Sequence, residues 1–486
     1  MKSIGATPKR QGSSKAMTKQ RRMISRHTLG ALAASAFLAG CSLIPTYERP
    51  AAPVPTTFPG DPAQPAGAAA ATVAWQDYFT DPRLQALIRT ALANNRDLRV
   101  SVLNIEQARA QFQISRAAQY PALNGIFSAT RQPSVIDGRL GNSFQVGLGI
   151  SSWEIDFFDR LGSLKEAALA QYLATEEARK AAQISLIGAV ATGWYTLLAD
   201  DELLELTRQT LVTRDESVRL TKLRFDNGVS SELDFQAANS AAETARAAYA
   251  QQQRQRLQDE NALALLLGAP VQPGALPTVN GLGRLEAIQA MPELPVGLPS
   301  DLLIERPDIR QAEQLLRSAN ANIGAARAAF FPRISLTATA GTASNELSGL
   351  FKSGSTAFSL APQLVLPIFD AGRNQAGLDS ARAGRDIAVA QYEKSIQSAF
   401  REVADALAGR ATLGEQVRAL RAQAAAEDQR FKLSDLRYRN GIASSLDLLD
   451  AQRSLFSAQQ AAVQTRMLQL QNQVTLYKVL GGGWKE

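Results

Sequence analysis

The sequence RFDNGVSSELD, at residues 224–234, returns as RYRNGIASSLD at residues 437–447. Both copies carry an Asn-Gly pair, and these two residue types tolerate the left-handed backbone that ends an α-helix. Three residues after each glycine stands a serine, and three residues after the serine stands an aspartate, a pattern typical of a helix N-cap with an acidic third helical residue. Each stretch therefore predicts a helix, a turn and a second helix, with N-caps at Ser231 and Ser444.

The repeat extends well beyond this stretch. Asp97 matches Asp308 and Phe158-Asp159 matches Phe369-Asp370, both at an offset of 211, whereas Leu267-Gly268 matches Leu480-Gly481 at 213. A single two-residue insertion explains the change in offset, so the chain is a tandem duplication of a unit of about 210 residues, too long for a solenoid repeat. We assign residues 74–268 to the first repeat and 300–486 to the second. Residues 269–299, rich in Pro and Gly, form an equatorial segment expected to pack around the middle of the long helices.

Each repeat contains a predicted pair of strands. A helix, predicted at 84–118 and again at 308–329, ends before an aromatic-Pro pair, and a β-hairpin follows at 121–158 and 332–369. Apolar residues then alternate with small or polar ones, as from Phe144 to Ile150, which indicates strands with one apolar face. An ordinary sheet on a core is the commoner alternative, but the strand length and the small residues favour a membrane β-barrel. Four strands are too few to close one, so identical subunits must share it.

Long helices follow the hairpins. Residues 161–226 and 372–439 contain no proline and would span roughly 100 Å at 1.5 Å per residue. Shorter helices are predicted at 231–267 and 444–480. Apolar residues on more than one face favour neighbours on two sides, as in a cylinder of helices, and a single coiled-coil hairpin is the alternative.

The first 40 residues have the features of an export signal. They carry eight Lys and Arg and no acidic residue, and an apolar run from 29 to 38 ends in Leu38-Ala39-Gly40-Cys41. This is typical of a signal peptide (residues 1–40) with a lipobox, and it predicts acylation of Cys41 with a fatty acid such as palmitate. Serine after the cysteine favours the outer membrane of a Gram-negative cell. Met17 or Met23 are alternative starts. Residues 41–73 are rich in proline and predict an extended tether.

Charge and composition exclude several functions. The net charge of +7 falls to −1 beyond residue 40, which leaves no broad field for nucleic acid. The single histidine, His27, lies in the leader and the single cysteine is Cys41. A body without imidazole excludes Ser-His-Asp and Cys-His nucleophiles and His-ligated metals. No apolar run of 18 residues follows the leader, so no transmembrane helix is predicted. We therefore expect no enzyme activity, no metal and no cofactor.

Several motifs in order resemble one known family. They are Glu305-Arg306-Pro307-Asp308-Ile309-Arg310-Gln311-Ala312-Glu313, Ala329-Phe330-Phe331-Pro332, Pro367-Ile368-Phe369-Asp370-Ala371-Gly372-Arg373, Ala399-Phe400-Arg401-Glu402-Val403-Ala404-Asp405-Ala406-Leu407, Leu448-Leu449-Asp450-Ala451-Gln452-Arg453 and the terminal stretch from Leu476 to Trp484. Over residues 41–486 the chain resembles the TolC/OprM-type outer membrane factors of tripartite efflux pumps, in the NodT lipoprotein branch. It departs at Ala371, where family members often have a second glycine.

The resemblance implies a mainly α fold with a membrane β-barrel. It implies a homotrimer with a 12-stranded barrel in the outer membrane, continuous with a long periplasmic α-helical barrel. The implied function is a passive exit duct for small molecules such as drugs and toxic lipophiles. The implied partners are a periplasmic adaptor (membrane fusion) protein, an inner-membrane and usually proton-driven efflux transporter, and outer-membrane lipid.

The resemblance also implies functional residues. The adaptor is expected to dock at the hairpin tips around Asn227, Gly228, Ser231, Asn440, Gly441 and Ser444. Leu446, Asp447 and Asp450 share one helical face, and the matching family positions form a periplasmic gate, with Arg453 as a neighbour that compensates charge. For Asp447 the alternative role is a helix cap, and for Asp450 it is a salt bridge with Arg453 or a solvated face.

Two other functions compete with the channel. The first is a periplasmic adaptor or scaffold lipoprotein that binds partners through its helical hairpins and forms no pore. An adaptor has one helical hairpin with small β domains, whereas this chain has two hairpins and two amphipathic strand pairs. The second is a cell-wall hydrolase, for which no segment suggests a carboxylate pair in a cleft.

Overall fold

The computed structural model describes residues 42–58, 73–133, 138–271, 285–288, 291–294 and 305–484. The leader, Cys41 and most of the segment between the repeats lie outside these ranges. The described chain is mainly helical and divides into two compact units. One unit contains residues up to 47, 111–169 and 317–385, and the other contains 48–110, 170–316 and 386–486.

The first unit contains one antiparallel sheet to which both repeats contribute. Its strands are β1 (Leu123–Pro133), β2 (Leu140–Ile155), β3 (Arg333–Ser344) and β4 (Thr356–Val365), in the spatial order β1-β2-β3-β4. Within each repeat the two strands pair as a hairpin. The pairing of β2 with β3, from Phe144 opposite Ser344 to Ile155 opposite Ile334, joins the two repeats.

The register collects most of the large apolar residues of the four strands on one face, with Ile126 and Val365 as exceptions on the other. One row across the sheet contains Leu123, Ile150, Ala338 and Leu360. Successive strand residues point to opposite faces, so the other face carries the small and polar residues between them. There, Gly147 lies opposite Gly341, and a Cβ on Gly147 would come within 2.3 Å of the Ala340 carbonyl oxygen. The predicted alternation is confirmed.

The helix predicted at 84–118 is wrong as a single helix. The structure has α1 (Trp75–Tyr78), α2 (Pro82–Asn94) and α3 (Arg96–Ala117), with a break at Asn95. Asn95 adopts an extended conformation, its side-chain oxygen accepts from the Leu98 amide, and its side-chain nitrogen donates to the Leu266 carbonyl. A capping side chain of this kind ends one helix and starts the next. The helix α6 (Pro307–Ala328) of the second repeat matches α3 at the offset of 211.

The long helices are α4 (Arg160–Asp226) and α7 (Arg373–Arg439), 67 residues each and therefore about 100 Å in length. Each leads through a short turn into a shorter helix, α5 (Glu232–Leu267) and α8 (Ser445–Val479) respectively. In the described part of the chain, α4 alone is apolar and long enough to cross a membrane by length and composition. Since 61% of its most apolar window is buried inside the molecule, packing accounts for that composition.

The core of the second unit forms around the middle of α4. Ile187, Val190, Trp194, Leu197 and Leu198 are each at most 1% exposed and form one stripe along the helix, and Ala199 and Leu203, which lie on the other side, are also buried. This agrees with the prediction that the helix has neighbours on two sides. In the same unit the ring of Tyr78 stacks on that of Tyr477 at 4.3 Å, and its hydroxyl donates to the Gln473 carbonyl at 2.9 Å.

The described residues of the segment between the repeats contact the middle parts of three helices. The Leu285 amide donates to Glu202 of α4 at 3.1 Å, and Arg466 of α8 donates to the carbonyls of Leu285 and Ile288. Arg410 of α7 donates to the Leu294 carbonyl at 3.5 Å.

The segment from 42 to 58 contains no helix or strand and runs along α6. In the first unit, the carbonyls of Leu43 and Pro45 accept hydrogen bonds from Arg327 and Asn320. In the second unit, Arg49 makes a bidentate pair with the buried carboxylate of Glu313. The chain after residue 41 is therefore held to the protein by side chains of one helix.

Candidate functional site at the helical tips

The two turns of the repeated stretch have the same geometry. The helices α4 and α7 both end in a glycine with a left-handed backbone, Gly228 at φ +72° and Gly441 at φ +73°. The amide of the next residue donates to the carbonyl five residues back, from Val229 to Arg224 and from Ile442 to Arg437. Together with the hydrogen bonds from the two glycine amides this is a Schellman motif. We call the two turns tip 1 (residues 227–231) and tip 2 (residues 440–444).

Side chains close each tip. Asn227 donates through its amide nitrogen to the Leu223 carbonyl, and Asn440 donates to the Leu436 carbonyl, both at 2.7 Å. The predicted N-caps are confirmed: Ser231 and Ser444 each form a full capping box with the aspartate three residues further on. The six residues predicted for the tips therefore all have a structural role in the turns.

The tips also contact each other within the chain. The Ser445 hydroxyl donates to Asp234, although the two residues stand 211 positions apart in the sequence. The Arg224 guanidinium lies 4.8 Å from the centre of the Tyr438 ring, which is a cation–π contact. Sequence reasoning missed both pairings, because each of them joins residues of different repeats.

Apolar side chains are exposed at both tips. Val229 and Leu233 are 68% and 79% exposed, and their counterparts Ile442 and Leu446 are 68% and 72% exposed. Four large apolar side chains around two adjacent turns form a surface that is typical of a binding site for another protein.

The predicted gate residues lie in the first three turns of α8. Leu446 projects into solvent, and Asp447 holds the Ser444 cap. Hydrogen bonds from Ser444 hold the pKa of Asp447 below its ordinary value. The capping alternative considered for Asp447 is therefore present in the structure.

Asp450 lies between two arginines. Arg430 of α7 and Arg453 of α8 each donate a hydrogen bond to this carboxylate, both at 2.5 Å, and these bonds hold its pKa below the ordinary value. The predicted pair with Arg453 is confirmed. Arg430 was not predicted, but Arg430 and Asp450 each lie ten residues from Asn440, and two antiparallel helices bring such positions together.

The described residues offer no place for a metal ion. No group of three or more His, Cys, Asp or Glu with suitable geometry occurs in the ranges that the structure covers. The chemistry of the tips is therefore that of turns, caps and charge pairs. Cys41, the predicted lipidation site, lies outside the described residues.

Comparisons with known proteins agree with this architecture. The model of the family described as outer membrane efflux protein matches residues 87–269 and 298–482, which correspond to the two repeats. The chain belongs to the outer membrane efflux protein family. The match confirms the resemblance, and it makes the chain an efflux channel protein of the outer membrane and not an enzyme.

Named relatives of this outer membrane efflux protein include two pump components. It is 48% identical over 470 residues to the toluene efflux pump outer membrane protein TtgC of Pseudomonas putida, which covers 94% of this chain and 96% of TtgC. The same identity and coverage hold for the antibiotic efflux pump outer membrane protein ArpC of Pseudomonas putida.

A solved structure shares the fold of the efflux protein. The outer membrane channel MtrE of Neisseria gonorrhoeae, in its open state, superposes with a TM-score of 0.82 at 43% identity. The match covers 92% of this chain and 99% of MtrE. The family assignment favours the channel over the adaptor alternative.

Proposed function

We propose that three copies of this chain form one exit duct through the outer membrane. A shared barrel of twelve β-strands forms the wall of the duct in the membrane, and a barrel of α-helices continues it into the periplasm. The observation that carries the proposal is the four-stranded sheet, which has one apolar face and two edges, β1 and β4, without a neighbouring strand in the described chain. The other features below support it.

The exposed apolar face suits contact with lipid. Phe127, Phe358 and Leu360 are 65%, 84% and 66% exposed in the single chain. In hydrocarbon every strand edge must be paired, because an unpaired amide or carbonyl there costs several kcal/mol. A sheet of four strands is half of the roughly eight that the smallest membrane barrels contain. Pairing β4 of one copy with β1 of the next closes the barrel and removes both edges.

The partners are a periplasmic adaptor and an inner-membrane transporter that supplies the energy. The exposed apolar residues at tip 1 and tip 2 support docking of the adaptor there, at Asn227, Gly228 and Ser231 and at Asn440, Gly441 and Ser444. The duct itself needs no energy source, since it has only to open.

The gate consists of Leu446, Asp447, Asp450 and Arg453 from each copy. Six carboxylates that converge on one axis repel one another unless cations balance them. Arg430 and Arg453 supply two positive charges for each Asp450. This pairing lets the carboxylates stay charged while the channel is closed.

The leader adds a lipid anchor. A signal peptide at residues 1–40, acylated Cys41 and a proline-rich tether at 41–73 place the chain end at the membrane surface, before the two repeats at 74–268 and 300–486. The barrel supplies most of the membrane affinity, since acyl chains contribute only about 0.8 kcal/mol per buried CH₂. The names of TtgC and ArpC point to toluene and antibiotics as cargo of those pumps, and we extend the class of small apolar organic compounds to this chain.

Cross-linking of the sheet edges tests the shared barrel. Ser128 in β1 and Ser359 in β4 are changed to cysteine in a Cys41→Ala background, so that a bis-maleimide reagent joins only these two positions. The expected product on denaturing gels is a ladder that ends at the trimer, and each single-cysteine variant serves as control. Monomers alone, or a purified protein without conductance in planar bilayers, would contradict the proposal.

A further inference from the structure

A cavity of about 340 Å³ lies among α4, α5 and α8 in the second unit, a short distance along the helices from the tips. Its walls include the apolar side chains of Leu446, Leu449 and Phe456 and the guanidinium groups of Arg214 and Arg453. Pockets that bind small molecules have volumes of about 300–1,000 Å³ and combine apolar walls with a few polar groups. The size and the lining both fall in that class.

Arg214 is a buried cation without an anionic partner. It is 7% exposed, and its Nη1 donates to Gln452 Oε1 at 2.5 Å. Gln452 in turn donates to Ser217. Among the residues that the structure describes, no carboxylate oxygen lies within 4.0 Å of Arg214. Buried charges are ordinarily paired, because taking a charge out of water costs several kcal/mol.

The surrounding charge increases this imbalance. Burial and the nearby Arg453 lower the pKa of Arg214, which stays protonated because arginine loses its proton only far above neutral pH. Asp450 is the one acidic residue in the lining, and both Arg453 and Arg430 already donate to it. The lining therefore carries two guanidinium groups against one carboxylate that is fully engaged.

The threonine hydroxyls in the walls do not donate into the cavity, which leaves the Ser240 hydroxyl and the arginines as possible donors to an anion. Thr207, Thr210 and Thr244 donate their hydroxyl protons to backbone carbonyls of their own helices. With their protons already donated, these hydroxyl groups can only accept hydrogen bonds. An anion is itself an acceptor and gains no hydrogen bond from them. Arg214 is therefore the group that would distinguish a negative ligand from a neutral one of the same shape.

We propose that this cavity binds a small organic monoanion, with a carboxylate against Arg214 and an apolar body of about two fused rings against Leu449 and Phe456. The site lies within a single chain and needs no contact between copies, and three of its lining residues, Leu446, Asp450 and Arg453, also belong to the gate proposed above. It stands whether or not the gate proposed above is correct.

Equilibrium dialysis of the purified full-length protein in amphipol tests the site. The probes are naphthalene-2-carboxylate, the neutral naphthalene-2-carboxamide and the cationic naphthylmethylammonium. We expect saturable binding of the carboxylate at one site per chain and at least about tenfold weaker binding of the other two. A tenfold difference in affinity corresponds to about 1.4 kcal/mol, and the hydrogen bond to a charged group that only the carboxylate forms with full strength accounts for it.

Two pairs of variants localise the binding. Arg214→Met removes the buried charge, and Arg208→Met removes an exposed arginine of the same helix that pairs with Glu205. Ala241→Leu fills the cavity and leaves Arg214 in place, and Ala247→Leu adds the same side chain at an exposed position of the same helix. We expect about tenfold weaker binding in the first member of each pair and unchanged binding in the second.

The Ala241→Leu variant tests the proposed site even if Arg214→Met does not fold. Retained affinity of the carboxylate in folded Ala241→Leu overturns the proposal, since the probe then binds elsewhere. Equal affinity for the carboxamide and the carboxylate also overturns it, because charge then plays no part.

Discussion

Asp234, in the first turn of α5, accepts a hydrogen bond from the hydroxyl of Ser445, in the first turn of α8. The same carboxylate holds the Ser231 cap of its own helix. The hydrogen bond from Ser445 makes the largest contribution, and together these bonds hold the pKa of Asp234 below its ordinary value. One side chain therefore caps a helix and joins the tips of the two repeats.

This link can be removed without loss of either cap. Ser445→Ala leaves both capping boxes intact, and Glu232→Ala is the matched control because residue 232 is the counterpart of residue 445 in the first repeat. We expect amide hydrogen exchange at residues 227–234 and 440–447 to become about fivefold faster in Ser445→Ala, which corresponds to about 1 kcal/mol for one hydrogen bond. Equal exchange in the two variants would show that the tips are held by other contacts.

The proposed gate is tested by removing both of its carboxylates. The double variant Asp447→Ala with Asp450→Ala leaves Arg430 and Arg453 without their shared partner and removes the acidic ring. We expect higher single-channel conductance in planar bilayers and weaker cation selectivity, since a ring of carboxylates attracts cations. Asp428→Asn, at a half-buried acid of α7 that pairs with Lys432, is the control. Unchanged conductance and selectivity would place the constriction elsewhere and leave Asp447 as a helix cap.

A bulky residue in the left-handed turn at tip 2 is expected to lower export. Gly441 has φ +73°, a conformation that costs a residue with a side chain about 1–2 kcal/mol. Gly441→Val should distort the docking surface and lower export while trimer and surface levels stay normal. Gly384→Val, inside α7 with open space around it, is the control. Normal export by Gly441→Val would show that the adaptor docks elsewhere.

Ala371, the one departure from the family pattern, has a left-handed backbone. It stands before Gly372 with φ +53°, in the left-handed region that glycine adopts at no steric cost. Ala371→Gly is therefore expected to stabilise the protein by about 1 kcal/mol, measured as a higher thermal midpoint. Gly372→Ala, at φ +84°, is expected to lower the midpoint. A lower midpoint for Ala371→Gly would mean that the turn carries no strain.

A buried carboxylate beside a second carboxylate predicts a dependence of stability on pH. Asp200 of α4 is 5% exposed, accepts a hydrogen bond from Gln252 at 3.0 Å and lies within hydrogen-bonding reach of Asp259 of α5. Burial, followed by Asp259, raises the pKa of Asp200 to about 7. Asp201 beside it is paired with Arg256.

The direction in which stability changes with pH follows from the number of protons that the folded and unfolded chains bind. Between the ordinary pKa of about 4 and the folded value of about 7, the folded chain holds a proton that the unfolded chain has lost. The contribution of Asp200 to stability is therefore greatest below pH 4 and falls as pH rises to about 7. Asp200→Asn should raise the thermal midpoint at pH 8 more than at pH 5, whereas Asp428→Asn should show no such difference. Equal shifts at both pH values would contradict the raised pKa of Asp200.

The sequence alone was sufficient for the features that depend on neighbouring residues. The two Asn-Gly turns, the serine caps and the alternation in the strands follow from backbone preferences and from the period of two, which act over a few positions. The duplication added the correspondence of the two tips. The helix break at Asn95 was missed, because the helical pattern continues through it and the capping side chain is held by the Leu266 carbonyl 171 positions away.

Only the tertiary structure decided which distant residues meet. The pairing of β2 with β3, the Ser445 link to Asp234, and Arg214 beside Gln452 each join the first repeat to the second. Local backbone preferences are the same in both copies and carry no information about such pairings. The charge balance around Asp450 and the unpaired charge of Arg214 depend on how the helices pack side by side, and helix packing is set by side chains far apart in the sequence.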